Sequence, residues 1–303
     1  MKGHSSEAPA ESTAIIILHF GSVADTLECL SSLEAAMAES PFSLVIVDND
    51  PRNPLDEQSV PPGVALLKTS GYLGFAAANN VGLRHVISEG FAYSLLLNND
   101  TTVKPDFLKI LLRAMHDRPH AGMVGPTMPY YYRPKEIWAC GGRIWPSGRV
   151  GSLQSILRIP YAPVDYLPGA CVLVRNSILP EIGLMPEKYF LGYEEAEFCG
   201  SARRQGWEIL VAPEAVVYHK VGMSSEQAPK YLYNGYRSRF LFVEFLYGRF
   251  AGRILSLIIV LGAQFRERGE RKLCRKAIHD HWRFDRVERE HLLEVERETT
   301  SSL

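Results

Sequence analysis

Residues 94–102 read SLLLNNDTT: three leucines, then two carboxamides, a carboxylate and two hydroxyls. Three consecutive apolar residues between polar ones predict the end of a strand that is buried on both faces of its sheet. Ligands of open α/β sheets bind at the carboxyl ends of the strands, so Asp100 is placed to meet a divalent cation or the phosphates of a nucleotide. An Asn-Asp turn with Asp100 capping the next helix explains the same residues, and this segment alone leaves both interpretations open.

The residues before this segment predict a sheet with helices between its strands. Strands are predicted from the apolar runs AIIIL at 14–18, LVIV at 44–47 and VALL at 64–67. Helices are predicted after the first run, where leucines are spaced for one buried face, and after Gly71. The order strand, helix, strand, strand, helix, strand predicts an α/β fold with a doubly wound, mostly parallel sheet. The acidic residues that follow the second and fourth strands would then lie at the same edge.

A second group of residues able to do chemistry lies further along the chain. Glu194 and Glu195 open a predicted helix directly after aromatic and apolar residues. Carboxylates in a first helical turn are favoured by the helix dipole, whereas desolvation by apolar neighbours would suit one of them to general-base chemistry. His219 follows two predicted strands, at 209–211 and 215–218, and it is either a structural residue or a metal ligand. The residues themselves leave these alternatives open.

Composition and charge restrict the class of protein. The chain has 303 residues, of which 46% are hydrophobic and 22% charged, as is ordinary for a globular protein. Its net charge of −1 hides an uneven distribution, and no nucleic-acid partner is expected. Residues 229–286, however, contain 13 Lys/Arg and 5 Asp/Glu, a local excess of 13 − 5 = +8. Such a segment favours an anionic phospholipid surface as partner, and a solvated basic face explains it equally well.

Cysteine usage and the chain ends predict the compartment and the domain limits. The five cysteines lie far apart without a CxxC pair, which argues against a zinc site or disulfides and for a reducing compartment. Residues 1–12 are polar and lack the apolar segment of a secretion signal, so they predict a disordered tail. We expect a catalytic domain at residues 13–230 and a helical region at 231–303, in a cytoplasmic protein.

The C-terminal region predicts helices that lie on a membrane or on another protein surface. Residues 240–263 are mostly apolar but include Glu244, Arg249 and Arg253, so a spanning helix is not expected. Helices in the interface at the inner face of the membrane are one interpretation. It is supported by the basic residues that follow, Arg266, Arg268, Arg271, Lys272, Arg275 and Lys276. Packing against the catalytic domain, or against a second subunit of a homodimer, explains the same pattern.

Eight short motifs follow one another along the chain. They are Phe20, Val47-Asp48-Asn49, residues 71–82 (GYLGFAAANNVG), residues 97–101 (LNNDT), Pro168-Gly169-Ala170, Glu194-Glu195, Gly206-Trp207 and Tyr218-His219. In this order they resemble the family 2 inverting glycosyltransferases, and in particular a rhamnosyltransferase-like subgroup. The resemblance covers residues 14–245. It implies the A-type nucleotide-sugar transferase fold with a C-terminal helical appendage, and an enzyme that transfers a hexose or deoxyhexose.

The resemblance implies a role for each matching residue. Phe20 would lie against the nucleobase, and Asp48 would accept a hydrogen bond from the imide N–H of that base. Asp100 and His219 would bind Mg²⁺ or Mn²⁺ against the diphosphate of the donor, a UDP- or dTDP-linked sugar. Glu195 would be the base that deprotonates the acceptor hydroxyl, on a saccharide or a lipid-linked saccharide. Further donor contacts are implied for Tyr72, Asn79, Asn98, Asn99 and Gly169.

Two positions depart from the family pattern. The metal motif begins with Asn98, an amide at a position where the family has an acid, and this weakens the implied metal site. The implied base is Glu195 where the family usually has Asp, and the additional methylene moves the carboxylate by about 1.5 Å. A shift of that size affects catalysis, so Glu194 stays open as an alternative base.

Three other functions remain under consideration. A nucleotidyltransferase that makes nucleotide sugars would need a Gly-rich phosphate loop with a basic residue, which residues 19–22 (HFGS) do not supply. A degenerate, non-catalytic protein that binds sugar nucleotides is favoured by Asn98 and Glu195. Within the transferases, an enzyme that acts on a small natural product is an alternative to one that builds cell-envelope polysaccharide.

Overall fold

The computed structural model describes residues 12–155, 159–189, 192–221, 229–265 and 268–283. The chain forms two compact units. The first comprises Met1–Arg143, Gly151–Met185 and Phe198–Val221, and the second comprises Ile144–Val150, Pro186–Glu197 and Gly222–Leu303. Residues 1–11 of the predicted tail, the apolar pair Phe190 and Leu191, and Arg266 lie outside the described residues, as does the side chain of Arg268.

The described residues form strands and helices that alternate through the first half of the chain and end in three helices. The strands are β1 (Thr13–His19), β2 (Ser43–Asp48), β3 (Ala65–Lys68), β4 (Tyr93–Asn98), β5 (Thr101–Val103), β6 (Ala121–Tyr130), β7 (Arg133–Ala139), β8 (Gly142–Ile144), β9 (Val150–Ser152), β10 (Ala162–Pro163), β11 (Cys171–Arg175) and β12 (Glu208–His219). The helices are α1 (Val23–Glu39), α2 (Phe75–Ser88), α3 (Phe107–Asp117), α4 (Leu179–Ile182), α5 (Glu194–Arg204), α6 (Pro229–Tyr247), α7 (Arg249–Gly262) and α8 (Arg268–Arg283).

Ten of the described strands form one sheet, which belongs to the first unit. Their order is β10-β12-β6-β11-β4-β1-β2-β3, with β5 beside β12 and β7 beside β6. Strand β1 is parallel to β2 and β4 on its two sides, and all seven of its residues are buried, as expected for an apolar strand covered on both faces. Strands β2 and β4 end in Asp48 and Asn98 on either side of β1. The predicted α/β sheet, with polar tips at one edge, is therefore confirmed.

The sheet also contains two features that the sequence did not predict. Strand β11 runs antiparallel between β4 and β6. Strand β12 is a single strand of 12 residues, whereas two strands were expected at 209–211 and 215–218. Its pairing with β6 shifts in register between Ala212 and Val216. The shift contains Pro213, and a bulge tolerates a residue without an N–H, so the strand continues past the proline.

Helix α2 packs closely on the sheet at Gly82. A Cβ at this position would overlap Ile16 Cγ2 and would lie 3.1 Å from Val47 Cγ2. Ile16 and Val47 belong to β1 and β2 and are fully buried. The lack of a side chain at Gly82 therefore allows α2 to lie close to β1 and β2, and β2 ends at Asp48.

The second unit contains helices α6, α7 and α8 around a core of their own. Tyr233 and Phe240 of α6 pack with Cys274 and other buried residues of α8. The Tyr233 hydroxyl donates a hydrogen bond to Asp280 at 2.7 Å, which satisfies a buried polar group inside this core. In the part of the chain that the structure describes, none of the helices is long and apolar enough to cross a membrane.

Replacing Gly82 with alanine should destabilise the protein by about 1–3 kcal/mol, because the new methyl group overpacks the contact with Ile16. Thermal and denaturant unfolding measure the change. Gly71→Ala is the matched control, since a Cβ there meets no atom within 4 Å. Equal stability of the two variants would contradict the close packing of α2.

Candidate active site

The ends of β5 and β12 bring Asp100 and His219 together. Antiparallel pairing of the two strands places Thr101 opposite His219. The N–H of Lys220 donates to the backbone carbonyl of Asp100 at 2.9 Å, which continues this pairing by one residue. His219 Nε2 lies 3.2 Å from Asp100 Oδ1. Two residues far apart in the sequence thus form one polar pair at the end of the sheet.

Both members of this pair have a buried polar atom that makes no hydrogen bond among the described residues. The two atoms are Asp100 Oδ1 and His219 Nδ1. Leaving a buried polar atom unbonded is costly, so an unpaired atom of this kind calls for a ligand or an ion. A carboxylate oxygen and an imidazole nitrogen are ligands that Mg²⁺ and Mn²⁺ accept. The donor set therefore fits a divalent cation.

The protein supplies few ligands for such a cation. Within the described ranges, no group of three or more His, Cys, Asp or Glu side chains is placed to hold a metal ion. Asp100 and His219 would then be the acidic and imidazole ligands, and water and the phosphates of a nucleotide would complete the coordination. Mg²⁺ commonly binds in this way, with one or two protein carboxylates and several waters.

Trp138 and Lys220, neither of which was predicted from the sequence, fix the position of His219. The Trp138 ring on β7 lies edge-on to the imidazole, with ring centroids 4.3 Å apart. Lys220 Nζ donates hydrogen bonds to Asp25 and Glu28 on α1, each at 2.5 Å, and so ties the end of β12 to that helix. No local pattern marks Trp138, since its contact with His219 depends on the pairing of β7 with β6.

An aromatic pair lies where β1 ends. The rings of Phe20 and Tyr72 are 4.9 Å apart, and Phe20 is 40% exposed. The guanidinium of Arg52 lies 5.9 Å from the Phe20 ring. An exposed aromatic face with a cation beside it suits contact with a planar, polarisable base. The structure thus brings together two of the residues that the sequence analysis predicted to bind the donor.

Asp48 is buried at the end of β2. Its Oδ2 accepts the N–H of Leu55 at 3.0 Å, and its Oδ1 lies 4.0 Å from His19 Nε2. A carboxylate has about four acceptor positions, so Oδ1 retains capacity for a further donor. His19 Nε2 is 2.7 Å from the carbonyl of Asn53 and therefore donates to it. His19 consequently links β1 to the loop after β2, a role that the sequence did not reveal.

Asp50 holds the loop that carries Phe20. Its Oδ2 accepts the N–H of Gly21 at 3.1 Å, and its Oδ1 accepts the N–H of Arg52 at 3.0 Å. Burial raises the pKa of Asp50, but these hydrogen bonds and the charge of Arg52 outweigh burial and lower the pKa below its ordinary value. An ionised Asp50 thus positions Phe20. The only sequence signal was its place after Asp48 in the tripeptide DND.

The other predicted donor-binding residues differ in whether their side chains already make hydrogen bonds within the protein. The Asn99 amide donates to the carbonyl of Phe20 and to Thr26 Oγ1, and so connects β4 to the end of β1. The Asn79 amide donates to the carbonyl of Phe75 inside α2. Asn98 is partly exposed at the end of β4. Its N–H donates to the carbonyl of Ala170, the residue after Gly169. Asn98 and Gly169 are thus neighbours at the sheet edge, whereas Asn79 and Asn99 have structural contacts.

The second unit contains the predicted general base. Glu194 and Glu195 begin α5, directly after Gly192 and Tyr193, whose φ angles are 76° and 78°. Tyr193 is the one non-glycine residue with positive φ in the described part of the chain. Such a backbone is strained for a residue with a bulky side chain and is found mainly at functional sites. The Tyr193 ring packs against Phe242, with ring centroids 5.3 Å apart.

Burial raises the pKa values of both glutamates. It raises the pKa of Glu194 to about 8, with a further increase from the charge of Glu195, and it also raises the pKa of Glu195. Oε2 of each carboxyl is buried and makes no hydrogen bond among the residues described. Two adjacent buried carboxyls cannot both ionise easily, so the pair retains one proton at neutral pH. The two carboxyls therefore share a single negative charge, and burial favours the protonated form of each.

Glu197, the third acidic residue of this helix, is committed to other contacts. Its Oε2 accepts a hydrogen bond from the Tyr189 hydroxyl and lies 2.8 Å from Lys188 Nζ. A carboxylate oxygen that an ion pair and a hydroxyl donor both contact is already occupied by partners within the protein. Glu194 and Glu195 therefore remain the candidate catalytic residues of this segment.

The chain is similar in sequence to known glycosyltransferases. Residues 13–235 match the model of the glycosyltransferase like family 2. A relative from Haloferax volcanii, named low-salt glycan biosynthesis hexosyltransferase Agl10, is 26% identical over 81% of this chain and 81% of its own length. The N-acetylglucosaminyl-diphospho-decaprenol L-rhamnosyltransferase of Mycobacterium tuberculosis is 27% identical over 71% of this chain and 78% of its own length.

The fold is also shared with solved structures. One of them is mannosyltransferase PcManGT from Pyrobaculum calidifontis, in complex with GDP-Man and Mn²⁺. The match covers 94% of this chain and 79% of the PcManGT chain, with a TM-score of 0.56 and 12% sequence identity. At that identity the likeness concerns the fold alone.

Replacing Glu194 with glutamine should stabilise the protein increasingly as the pH rises from 5 to 9. An acid whose pKa is raised from 4.5 to about 8 in the folded state stabilises the fold below pH 4.5, and this contribution is lost as the pH rises through about 8. Glutamine avoids that loss. Melting temperatures of the wild type and Glu194→Gln, measured across this range, test the prediction.

The control for this experiment is Glu136→Gln, which removes a carboxylate from an exposed position on β7. A difference between wild type and Glu194→Gln that stayed constant from pH 5 to pH 9 would mean that Glu194 is already ionised at pH 5. In that case Glu194 would not carry the proton of the pair.

Proposed function

The chain belongs to the glycosyltransferase like family 2 and is a glycosyltransferase, and on that premise we propose how its residues perform the transfer. The donor is a nucleoside-diphosphate sugar, UDP- or dTDP-linked. Phe20 and Tyr72 contact its base, and Asp48 Oδ1 accepts the imide N–H. Support for this comes from the exposed Phe20 ring beside the half-buried Tyr72 and from the acceptor capacity that Oδ1 retains.

Asp100 and His219 would hold Mg²⁺ or Mn²⁺ at the diphosphate. The observation that carries the proposal is the 3.2 Å approach of His219 Nε2 to Asp100 Oδ1 at the end of the sheet, between side chains that each have a buried atom without a hydrogen bond. A bound cation would neutralise the charge that develops on the leaving diphosphate. Trp138 and Lys220 keep His219 in place for this task, because the ring contact and the two ion pairs restrict its movement.

Glu195 is the proposed base. It takes the proton of the acceptor hydroxyl, whose oxygen attacks C1 of the donor sugar from the face opposite the diphosphate. The bond from C1 to the diphosphate oxygen breaks, the diphosphate leaves with the electron pair, and the configuration at C1 inverts. Glu194 would stay protonated beside the base because burial raises its pKa. The buried pair would then carry one negative charge instead of two.

The proposed acceptor is a saccharide or a lipid-linked saccharide of the kind named for the mycobacterial relative. Residues 13–230 would form the catalytic domain, and residues 231–303 would form the helical region that accompanies it. An acceptor with a lipid anchor lies at a membrane, so we place the protein in the cytoplasm, peripheral to the inner face of that membrane. Membership of the family favours this function over a nucleotidyltransferase.

Replacing Asp100 with alanine should remove the metal-dependent part of nucleotide binding. The rise in melting temperature with UDP or dTDP should be larger with Mn²⁺ than with EDTA in the wild type and equal in the variant. Affinity in the presence of Mn²⁺ should fall about tenfold or more, since losing a ligand costs at least as much as losing a residue that supports one.

Asp106→Ala is the matched control for this change. Asp106 precedes α3 and its side chain makes no capping hydrogen bond to that helix, so its loss should leave the Mn²⁺ effect intact. A metal response that survived in Asp100→Ala would reject Asp100 as a ligand.

Replacing Glu195 with glutamine should lower transfer by a factor of about 10²–10⁴, the usual contribution of a general base, and leave nucleotide binding unchanged. Glu194→Gln should retain activity within about tenfold, because glutamine resembles a protonated glutamate. Release of nucleoside diphosphate from a sugar nucleotide, with water as acceptor, measures both without knowledge of the natural acceptor.

The reverse result, with Glu194→Gln inactive and Glu195→Gln active, would move the base to Glu194. Glu197→Gln is the control for a change of charge on the same helix. No release by the wild type with any donor would favour the degenerate, non-catalytic alternative.

A further inference from the structure

Helix α7 has an apolar face that is open to solvent. The large side chains on it are between 46% and 94% exposed, and they are Phe250, Ile254, Leu257, Ile258, Leu261 and, just after the helix, Phe265. At 3.6 residues per turn these six positions fall within a stripe about 100° wide. A monomeric protein rarely exposes so continuous an apolar patch unless something binds there.

The opposite face of α7 already packs inside the second unit. Gly252, Ser256 and Ala263 are buried, and Gly252 lies against the backbone of Glu244 on α6. The helix is therefore apolar on two opposite sides, of which one is used by the fold. A helix that served only to cover α6 would be polar on its outer face. The outer face of α7 thus has a purpose beyond folding.

Cations border this apolar face. Arg271 Nη1 donates to the carbonyl of Gln264 at 3.4 Å, and Arg275 donates to the Gln264 side chain. Because Gln264 directly precedes Phe265, both guanidinium groups lie at the C-terminal end of the apolar stripe. Lys272, on the same helix as these arginines, is exposed. The N-terminal end of the stripe begins beside Arg249.

We propose that the outer face of α7, with the cations of α8, docks on a bilayer that contains anionic phospholipid. The six apolar side chains enter the boundary of the acyl chains while the basic side chains meet the phosphate head groups, as in helices that lie in a membrane interface. This names the surface for the membrane location proposed above and rests on that proposal. Its test measures binding instead of transfer, so either can fail alone.

A second copy of the chain fits this face less well. A symmetric pair would place the same apolar stripe, and the same cations around it, opposite each other. Arg271, Lys272 and Arg275 of the two copies would then face like charges, which opposes association. An anionic bilayer satisfies the apolar stripe and its basic border together.

The test is co-sedimentation of the full chain with vesicles of phosphatidylcholine alone and with vesicles that contain 30% phosphatidylglycerol. The wild type should bind the anionic vesicles more tightly, and added salt should weaken that binding. The double variant Phe250→Glu/Leu261→Glu should lower the partition coefficient at least about tenfold. Lys272→Glu should lower it about fivefold or more on anionic vesicles only.

Met37→Glu is the matched control, because Met37 is an exposed apolar residue on a helix of the first unit. It should bind like the wild type. All variants change exposed side chains, so their melting temperatures should equal that of the wild type. If the double variant has a lower melting temperature, Phe250→Glu alone replaces it.

Three outcomes would overturn the proposal. One is a wild type that binds neither kind of vesicle. Another is a wild type that is dimeric by light scattering and a double variant that is monomeric, which would make the face an interface between copies. The third is vesicle binding only by a chain that ends at Arg283, which would mean that residues 284–303 cover the face.

Discussion

The pairing of β5 with β12 is the constraint on which the candidate metal site depends. It sets Thr101 opposite His219 and, through the next backbone hydrogen bond, holds Asp100 against the end of β12. Neither side chain would reach the other without this short ladder, since β4 and β12 are separated in the sheet by β11 and β6. Three residues of β5 thus join the two halves of the sheet where the polar tips lie.

The apolar runs of the sequence predicted the parallel part of the sheet because a strand buried on both faces must be apolar throughout. They could not predict the position of β11, since Cys171–Arg175 would suit a parallel or an antiparallel neighbour equally well. The division of residues 209–218 into two strands was wrong for a similar reason. Pro213 indicates a break in a local pattern, and only the neighbouring strand β6 shows that a bulge accommodates it.

The candidate site shows a comparable limit. The order of the motifs, through the family resemblance, indicated Phe20, Asp48, Asp100 and His219, and in the structure each lies at or just after the end of a strand. The residues that hold them, His19, Asp50 and Trp138, act through hydrogen bonds and ring contacts between distant segments. Such contacts leave no periodic signal. The two amides Asn79 and Asn99 illustrate the converse, since they belong to motifs and yet their side chains bind the backbone.

The departure from the family pattern at Asn98 lowers the negative charge of the candidate metal site. A cation site with Asp100 as its one carboxylate and Asn98 as a neutral neighbour attracts a divalent ion less strongly than a site with two acids. In the proposed reaction the diphosphate must then supply much of the negative charge that retains the ion. Cation and donor would therefore stabilise each other's binding, and each would bind weakly alone. In the proposed reaction a protonated Glu194 would limit charge in the same way, because the buried pair would then carry one negative charge instead of two.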